Sequence, residues 1–362
     1  MIACFTIHSP RPSNVWYTVG TMYTGRAYHS STLISQDNSV LIAGGSNGGA
    51  LMSVQKYIPS TGCIQTMGNM PRVRYYHSAD QLPSLSGYVL FTGGYGVGGS
   101  LIYADLYDPM TNNTVTISLS VARYRHVSAI LSSSQLVLIG GQNQTGLLDS
   151  GDELIVGSNS GFNLSTGALP IPCIGHTVTP FGTTSGIALV TGGSNGGSGF
   201  YNTAILFQAS TNSFITLPTG INLPSGYAYH TATYLPPPIN KILLIGGAAY
   251  YVTYGTMILF DIPTLTFTTL GSTLITSRYD HTATLLPTGK ILIAGGYNAG
   301  PLRSCELIDP SNDYISTPAT PLNTNRYYHT ATLIPDNYNG TVLVCGGYTG
   351  SSYINTCELY VV

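Results

Sequence analysis

Charged side chains make up 7% of this 362-residue sequence, against about 25% in a typical soluble domain. Lysine occurs only at Lys56, Lys241 and Lys290. A chain so poor in cations has no basic stripe for nucleic acid or for an anionic membrane surface. It also lacks any apolar run near the ~20 residues that span a bilayer, so neither nucleic acid nor membrane insertion is expected. The opening MIACFTIHSP has no basic n-region and no long apolar core, so no signal peptide is read there.

The six cysteines show no CxxC spacing, which argues against a zinc site. Sustained 3.6-residue periodicity is missing, so essentially no helix is expected. No GxSxG, HExxH or phosphate-loop motif occurs, and no catalytic residue is assigned. The acidic pairs Asp152–Glu153 and Asp105 with Asp108 fall where the chain is expected to turn, and they read as surface turn chemistry.

What the chain does have is 43 glycines, 21 prolines, 27 tyrosines and 43% hydrophobic residues. That is too apolar for disorder and suits many short strands with tight turns. Seven of the eight histidines fall in one register: His29, His77, His126, His176, His230, His281 and His329. Each is followed 14 to 17 residues later by a diglycine that ends an apolar run, from Gly44-Gly45 to Gly346-Gly347. A unit of about 50 residues therefore repeats seven times, and the copies begin near Arg26, Arg74, Arg123, Cys173, Tyr227, Arg278 and Arg326. The sixth copy shows four strand-length segments, HTATLL, KILIA, SCELI and one beginning at Tyr314, separated by Gly, Pro, Asn and Asp.

A four-stranded unit cannot bury both of its faces, whereas seven arranged radially can. The fold expected is all-β: one seven-bladed β-propeller of four-stranded antiparallel blades over residues 1–362. The last copy has three strands and no fourth. The stretch around Trp16 is a fourth strand with no first three. Residues 14–22 are therefore expected to complete the last blade and close the ring, which removes exposed sheet edges.

The diglycine, the fourth-strand aromatics (Phe162, Phe214, Phe267 and Tyr314, with Cys63 and Val115 in the first two copies) and the Arg-Tyr-x-His-Thr-Ala-Thr lead-in resemble kelch repeats. The variety is that of the central propeller of galactose oxidase and glyoxal oxidase. The resemblance covers about Trp16 to Val362. It implies a propeller, and it also raises a copper-radical oxidase, in which a Cys173–Tyr229 thioether and Tyr-His pairs would hold copper. Enzymes of that type take a further His from a domain beyond the propeller.

Four antiparallel strands place the fourth-to-first junctions and the second-to-third loops on one rim. That rim gathers Tyr28, Tyr76, Tyr124, Tyr229, Tyr279 and Tyr328 with Arg74, Arg123, Arg278 and Arg326. Tyr95, Tyr297, Tyr348 and Tyr353 join it from the loops. Tyr and Arg anchor interfaces and stack on sugar rings. The repeat histidines read as structural groups.

The function expected is a non-catalytic recognition or scaffold module for protein or glycan, without cofactor. A subunit of an extracellular assembly or filament, with self-association, is a further alternative. Sequons at Asn112, Asn143, Asn163 and Asn339 fit an extracellular or cell-surface setting, with Asn112 and Asn339 on the opposite rim. Cys345 and Cys357, on consecutive strands, are candidates for a disulfide.

Overall fold

A computed structural model describes residues 12–85, 87–156, 161–182, 186–335 and 340–362. Seven four-stranded antiparallel sheets form the blades, and among the described residues the only helical element is the 3₁₀ turn Ala209–Thr211. Blade 6 is representative: Thr282–Leu285, Ile291–Ala294, Cys305–Asp309 and Ile315–Ala319 pair in sequence order. Its second strand, ILIA, is buried throughout. A strand covered by neighbouring blades on both faces reads as a continuous apolar run, not an alternating one.

The seventh blade holds Thr330–Ile334, Thr341–Cys345 and Thr356–Val361, and its outer strand is Val15–Thr21. Trp16 pairs with Tyr360 and Tyr17 with Leu359. The Trp16 and Tyr360 ring centroids are 5.0 Å apart, and Trp16 Nε1 donates to the Thr320 carbonyl of blade 6 at 2.8 Å. The ring is thus closed by its N-terminal strand, as the incomplete last repeat requires. Cys345 and Cys357 face each other on adjacent strands of this blade and form a disulfide, with Cα atoms 4.2 Å apart.

The apolar core lies between blades. Trp16, Val342, Val344 and Tyr360 of blade 7 pack on Leu286, Leu292, Ala294 and Cys305 of blade 6. Such close packing explains the diglycine. The N–H of Gly347 donates to the Arg26 carbonyl of the next blade at 2.8 Å. The second glycine makes the same bond at every joint, from 2.7 Å at Gly193–Tyr227 to 3.0 Å at Gly141–Cys173. A Cβ on Gly346 would lie 2.5 Å from the Arg26 oxygen and 2.6 Å from His29 Cε1, and its φ is +61°. Any other side chain would push the blades apart.

The histidine is the second half of each joint. His29 Nε2 bonds Thr330 Oγ1 of the preceding blade at 3.0 Å, and His77, His126, His230, His281 and His329 reach the Ser or Thr in the same place. In blade 3 that place is Val127, which has no hydroxyl, and His176 turns to the Ile139 carbonyl at 3.1 Å.

Within a blade the repeat arginine is the clamp. Arg278 Nη1 donates to the carbonyls of Gly295 and Ser304, both at 2.8 Å, while Nη2 meets Glu306 at 2.6 Å. Glu306 in turn accepts the backbone N–H groups of Ile275 and Thr276. Arg74–Asp105 and Arg326–Glu358 repeat the pair. In Arg123–Asp152 the charges are 3.8 Å apart. Blades 4 and 5 replace both partners together, with Cys173 and Ile205 in one and Tyr227 and Ile258 in the other.

Two expectations are corrected here. Asp105, Asp152 and Glu153 are buried in third strands and are not turn residues; Asp105 and Asp152 meet the clamp arginines of their own blades, while Asp108 does lie in a turn. The partners of the third-strand column place Ile64, Thr114 and Ser316 at the position equivalent to Trp16, in place of Cys63, Val115 and Tyr314. Phe162, Phe214 and Phe267 hold it as expected.

Two outcomes test this architecture. Deleting residues 1–22 should lower the melting temperature and broaden the transition, since it exposes the edge of Thr356–Val361. Melting like the parent would show that closure is dispensable. Glu306→Ile leaves the Arg278 charge buried without a counter-charge and should cost about 3–5 kcal/mol in denaturant titration, more than Glu306→Gln, which copies the Arg26–Gln55 pair of blade 1. The double variant Arg278→Tyr, Glu306→Ile, which copies blade 5, should recover most of that loss.

Candidate functional site

The residue just before each repeat histidine forms a ring around the propeller axis: Tyr28, Tyr76, Arg125, Gly175, Tyr229, Asp280 and Tyr328. All seven have φ between 51° and 68°, a left-handed conformation that costs about 1 kcal/mol or more for residues other than glycine. Their backbones link blade to blade. Tyr76 N–H donates to Tyr28 O at 3.1 Å, Arg125 to Tyr76 at 3.0 Å, Tyr229 to Gly175 at 2.8 Å, Asp280 to Tyr229 at 3.2 Å and Tyr28 to Tyr328 at 3.4 Å. This crown turns one side chain toward the axis from every blade except blade 4, where the residue is Gly175.

Around the crown runs a second tier. The residue two before each histidine forms a β-bridge with the residue after the diglycine, as in Tyr75–Tyr95, Tyr124–Gln142, Tyr279–Tyr297 and Tyr327–Tyr348. These bridges place junctions and second-to-third loops on one rim. The result is an unbroken chain of ring contacts. From Tyr229 it passes through Tyr279 (6.4 Å), Tyr297 (5.4 Å), Tyr327 (5.1 Å) and Tyr328 (4.4 Å) to Tyr28 (4.4 Å). It continues through Tyr76 (4.3 Å), Tyr75 (5.2 Å) and Tyr95 (5.5 Å) to Tyr124 (5.0 Å), while Tyr348 and Tyr353 branch from Tyr327. Each of these rings is half-buried. The arc is interrupted at blade 4, where Ile174, Ser194 and Gly175 hold the equivalent places.

Two charged residues stand in the crown. Arg125 lies over the Tyr76 ring, 4.3 Å from its centroid, and donates to the Tyr76 hydroxyl at 3.0 Å. Asp280 accepts a hydrogen bond from Tyr328, yet burial raises its carboxyl to about 7, against the opposing pull of that bond and of Arg125. The same crowding pushes the Tyr28 and Tyr328 phenols well up, and Tyr279 to about 12. Gly175 leaves room for the Tyr229 ring, since a Cβ there would lie 2.8 Å from Tyr229 Cε1.

Of the sequence candidates, Tyr28, Tyr76, Tyr229 and Tyr328 lie in the crown, and Tyr124 and Tyr279 in the second tier. Arg74, Arg123, Arg278 and Arg326 do not reach the rim surface. Each is fully buried inside its blade, where its guanidinium satisfies strand-end carbonyls. Arg125 and Asp280 were missed. Aligning the residue before each histidine would have exposed them as departures from a tyrosine column.

Asn112 lies in the turn between the third and fourth strands of blade 2, on the opposite rim, and its Oδ1 accepts from Gly68 N–H at 2.8 Å. Asn143 lies in the second-to-third loop of blade 3, on the tyrosine rim, and Asn163 in the strand Phe162–Ala168. Asn339 lies outside the described residues.

The resemblance to copper-radical oxidases can be tested on the donor set. Cys173 is buried beside the backbone of Gly193 and occupies the clamp position of blade 4. The seven histidines bond across seven separate joints, so they do not converge. Among the described residues no three His, Cys, Asp or Glu side chains gather as a metal site. The repeat histidines are thus engaged in the joints between blades and are not gathered around one point.

Burial holds all seven histidines below their usual range, His176 to about 4 and His230 and His329 to about 3. Unfolded histidines take up protons near 6.5. The stability they contribute is therefore complete above that pH and is lost as pH falls toward the folded values. Asp80, held up near 6, and Asp280 and Glu153, held up near 7, act in the opposite sense but are fewer. The melting temperature should fall steadily from pH 6.5 to 4.5, with net proton uptake on unfolding in calorimetry. A flat profile would show that the histidines are not buried neutral.

No protein-family model matches the chain and no curated protein matches it; the fold is a seven-bladed β-propeller with an asymmetric axial crown rich in tyrosine.

Proposed function

We propose that this propeller, of the kelch type its repeats resemble, is a non-catalytic recognition module that binds a protein partner on its tyrosine face and needs no cofactor. The observation that carries the reading is the continuous tyrosine arc. Tyrosine offers a large, stiff contact area at low entropic cost, and Ser, Gly and Asn supply adaptable hydrogen bonding beside it. The loops of this rim have that composition, as in SNGGA, YGVGGS, SNGGSG and YTGSSY. Their tips project apolar groups: Tyr23, Val97 and Tyr251 are at least 90% exposed. A rim that is both rigid at its floor and apolar at its tips suits a macromolecular surface. Disulfides at Cys345–Cys357 and at Cys63 support an extracellular or cell-surface setting, and so would glycans at Asn112, Asn143 or Asn163.

Selection of binders from a displayed protein library should yield sequences whose binding is lost with Tyr76→Ala or Tyr327→Ala, by about 1–3 kcal/mol each. Met110→Ala, on the opposite rim, should leave binding unchanged. Binders sensitive to Met110 alone would move the interface to the other face. A glycan array giving Tyr76-dependent binding, with no protein selected, would replace protein by glycan.

A further inference from the structure

Asp280 differs from the other carboxylates paired within the propeller. Asp105, Glu306 and Glu358 each sit against an arginine. Asp280 has no cationic nitrogen within 4.0 Å among the described residues. Its surroundings are phenolic. Tyr229 precedes it in the crown and Tyr328 follows, with Tyr28, Tyr279 and Tyr327 close enough to feel its charge. The one cation that influences it, Arg125, is held across the crown on Tyr76.

A carboxylate ringed by aromatic groups and short of a counter-ion is the arrangement that captures an ammonium group. The ring faces supply cation–π attraction and the carboxylate supplies the opposite charge. We propose that the axial crown binds a primary ammonium, the end of a lysine side chain presented by the partner protein, with Asp280 as its counter-ion. This rests on the recognition reading above and names the group inserted at its centre.

Three features support it. Burial disfavours the ionised form of this carboxyl, raising it to about 7, and an ammonium beside it would relieve that penalty. The crown is half-exposed at the centre of the tyrosine face. The chain's own lysines are occupied elsewhere: Lys56 pairs with Asp37 at 2.7 Å, Lys241 with Asp261 at 3.0 Å and Lys290 with Asp309 at 3.2 Å. These pairs lie toward the opposite rim, so the protein does not present its own ligand.

The test uses n-butylammonium as the probe, with n-butanol as its neutral counterpart, in calorimetric and NMR titrations of the full chain. At pH 8 the amine should bind and the alcohol should not. At pH 5.5 only about 3% of a group titrating near 7 is ionised, so binding should weaken about 30-fold. Asp280→Asn should lose binding at least tenfold while melting no lower than wild type at pH 8, because it removes an anion whose burial is unfavourable there. Arg125→Met, which removes the competing cation, should tighten binding several-fold.

Equal binding to Asp280→Asn, indifference to pH, or equal binding of the alcohol would overturn the proposal. If library-selected partners bind the tyrosine face while the amine does not bind, the ammonium site fails and the recognition face stands. If neither binds, both fail.

Discussion

One backbone hydrogen bond, repeated at seven joints, sets the rest of the structure. The N–H of the second glycine reaches the carbonyl at the head of the next blade at 2.7–3.0 Å. That contact requires glycine twice: a Cβ on the first glycine would collide with the same carbonyl and the incoming histidine, and a Cβ on the second with the histidine of its own blade. It also fixes the histidine, whose ring lies over the first glycine and bonds back to the previous blade. The diglycine and the histidine are therefore two halves of one joint. Their co-occurrence in sequence is the imprint of a contact between blades, not of any chemistry performed on a ligand.

The arginine pairs follow from the same closeness. Where the second strand ends at the diglycine, its carbonyls turn inward with no strand partner, and a guanidinium satisfies several at once. In blades 2, 3, 6 and 7 an acid in the third strand answers the buried charge, and in blade 1 Gln55 takes its place, accepting from Arg26 Nη2 at 3.1 Å. Replacing both partners by apolar groups is nearly neutral, whereas an apolar group opposite the remaining charge is expensive. Blades 4 and 5 changed both. The irregularity at Cys173 and Tyr227 that stands out in the sequence is thus a local exchange of clamp, and the asymmetry of the axial crown lies at other positions.

How much could be read from the chain follows from these contacts. The blade count, the strand order and the closure by Val15–Thr21 were legible, because repetition multiplies a weak strand signal sevenfold and an unfinished last copy demands a partner. The Cys345–Cys357 bridge follows from adjacency on paired strands. The arginines were misplaced because residue type says nothing of direction. Arg74 and Tyr76 are two residues apart, yet one points into the blade and the other over the axis. Direction is set by the left-handed residue before the histidine, a backbone feature invisible in composition. Asp280 and Arg125 were overlooked for a related reason, since a consensus of Tyr-His draws attention to the copies that agree.

The crown shows what those exceptions mean. Six residues other than glycine hold a left-handed conformation there, and glycine at Gly175 shows that the fold accepts the unstrained choice. Strain kept at a position where a cheaper residue fits points to the side chain as its reason. Simple plugging of the axis would be met by tyrosine in every blade. An arginine in blade 3 and an acid in blade 6 instead give the floor a direction, with a guanidinium on one side and a carboxyl on the other. A symmetric ring would bind a ligand in seven equivalent orientations. Substituting three of its members, at Arg125, Gly175 and Asp280, removes that sevenfold equivalence.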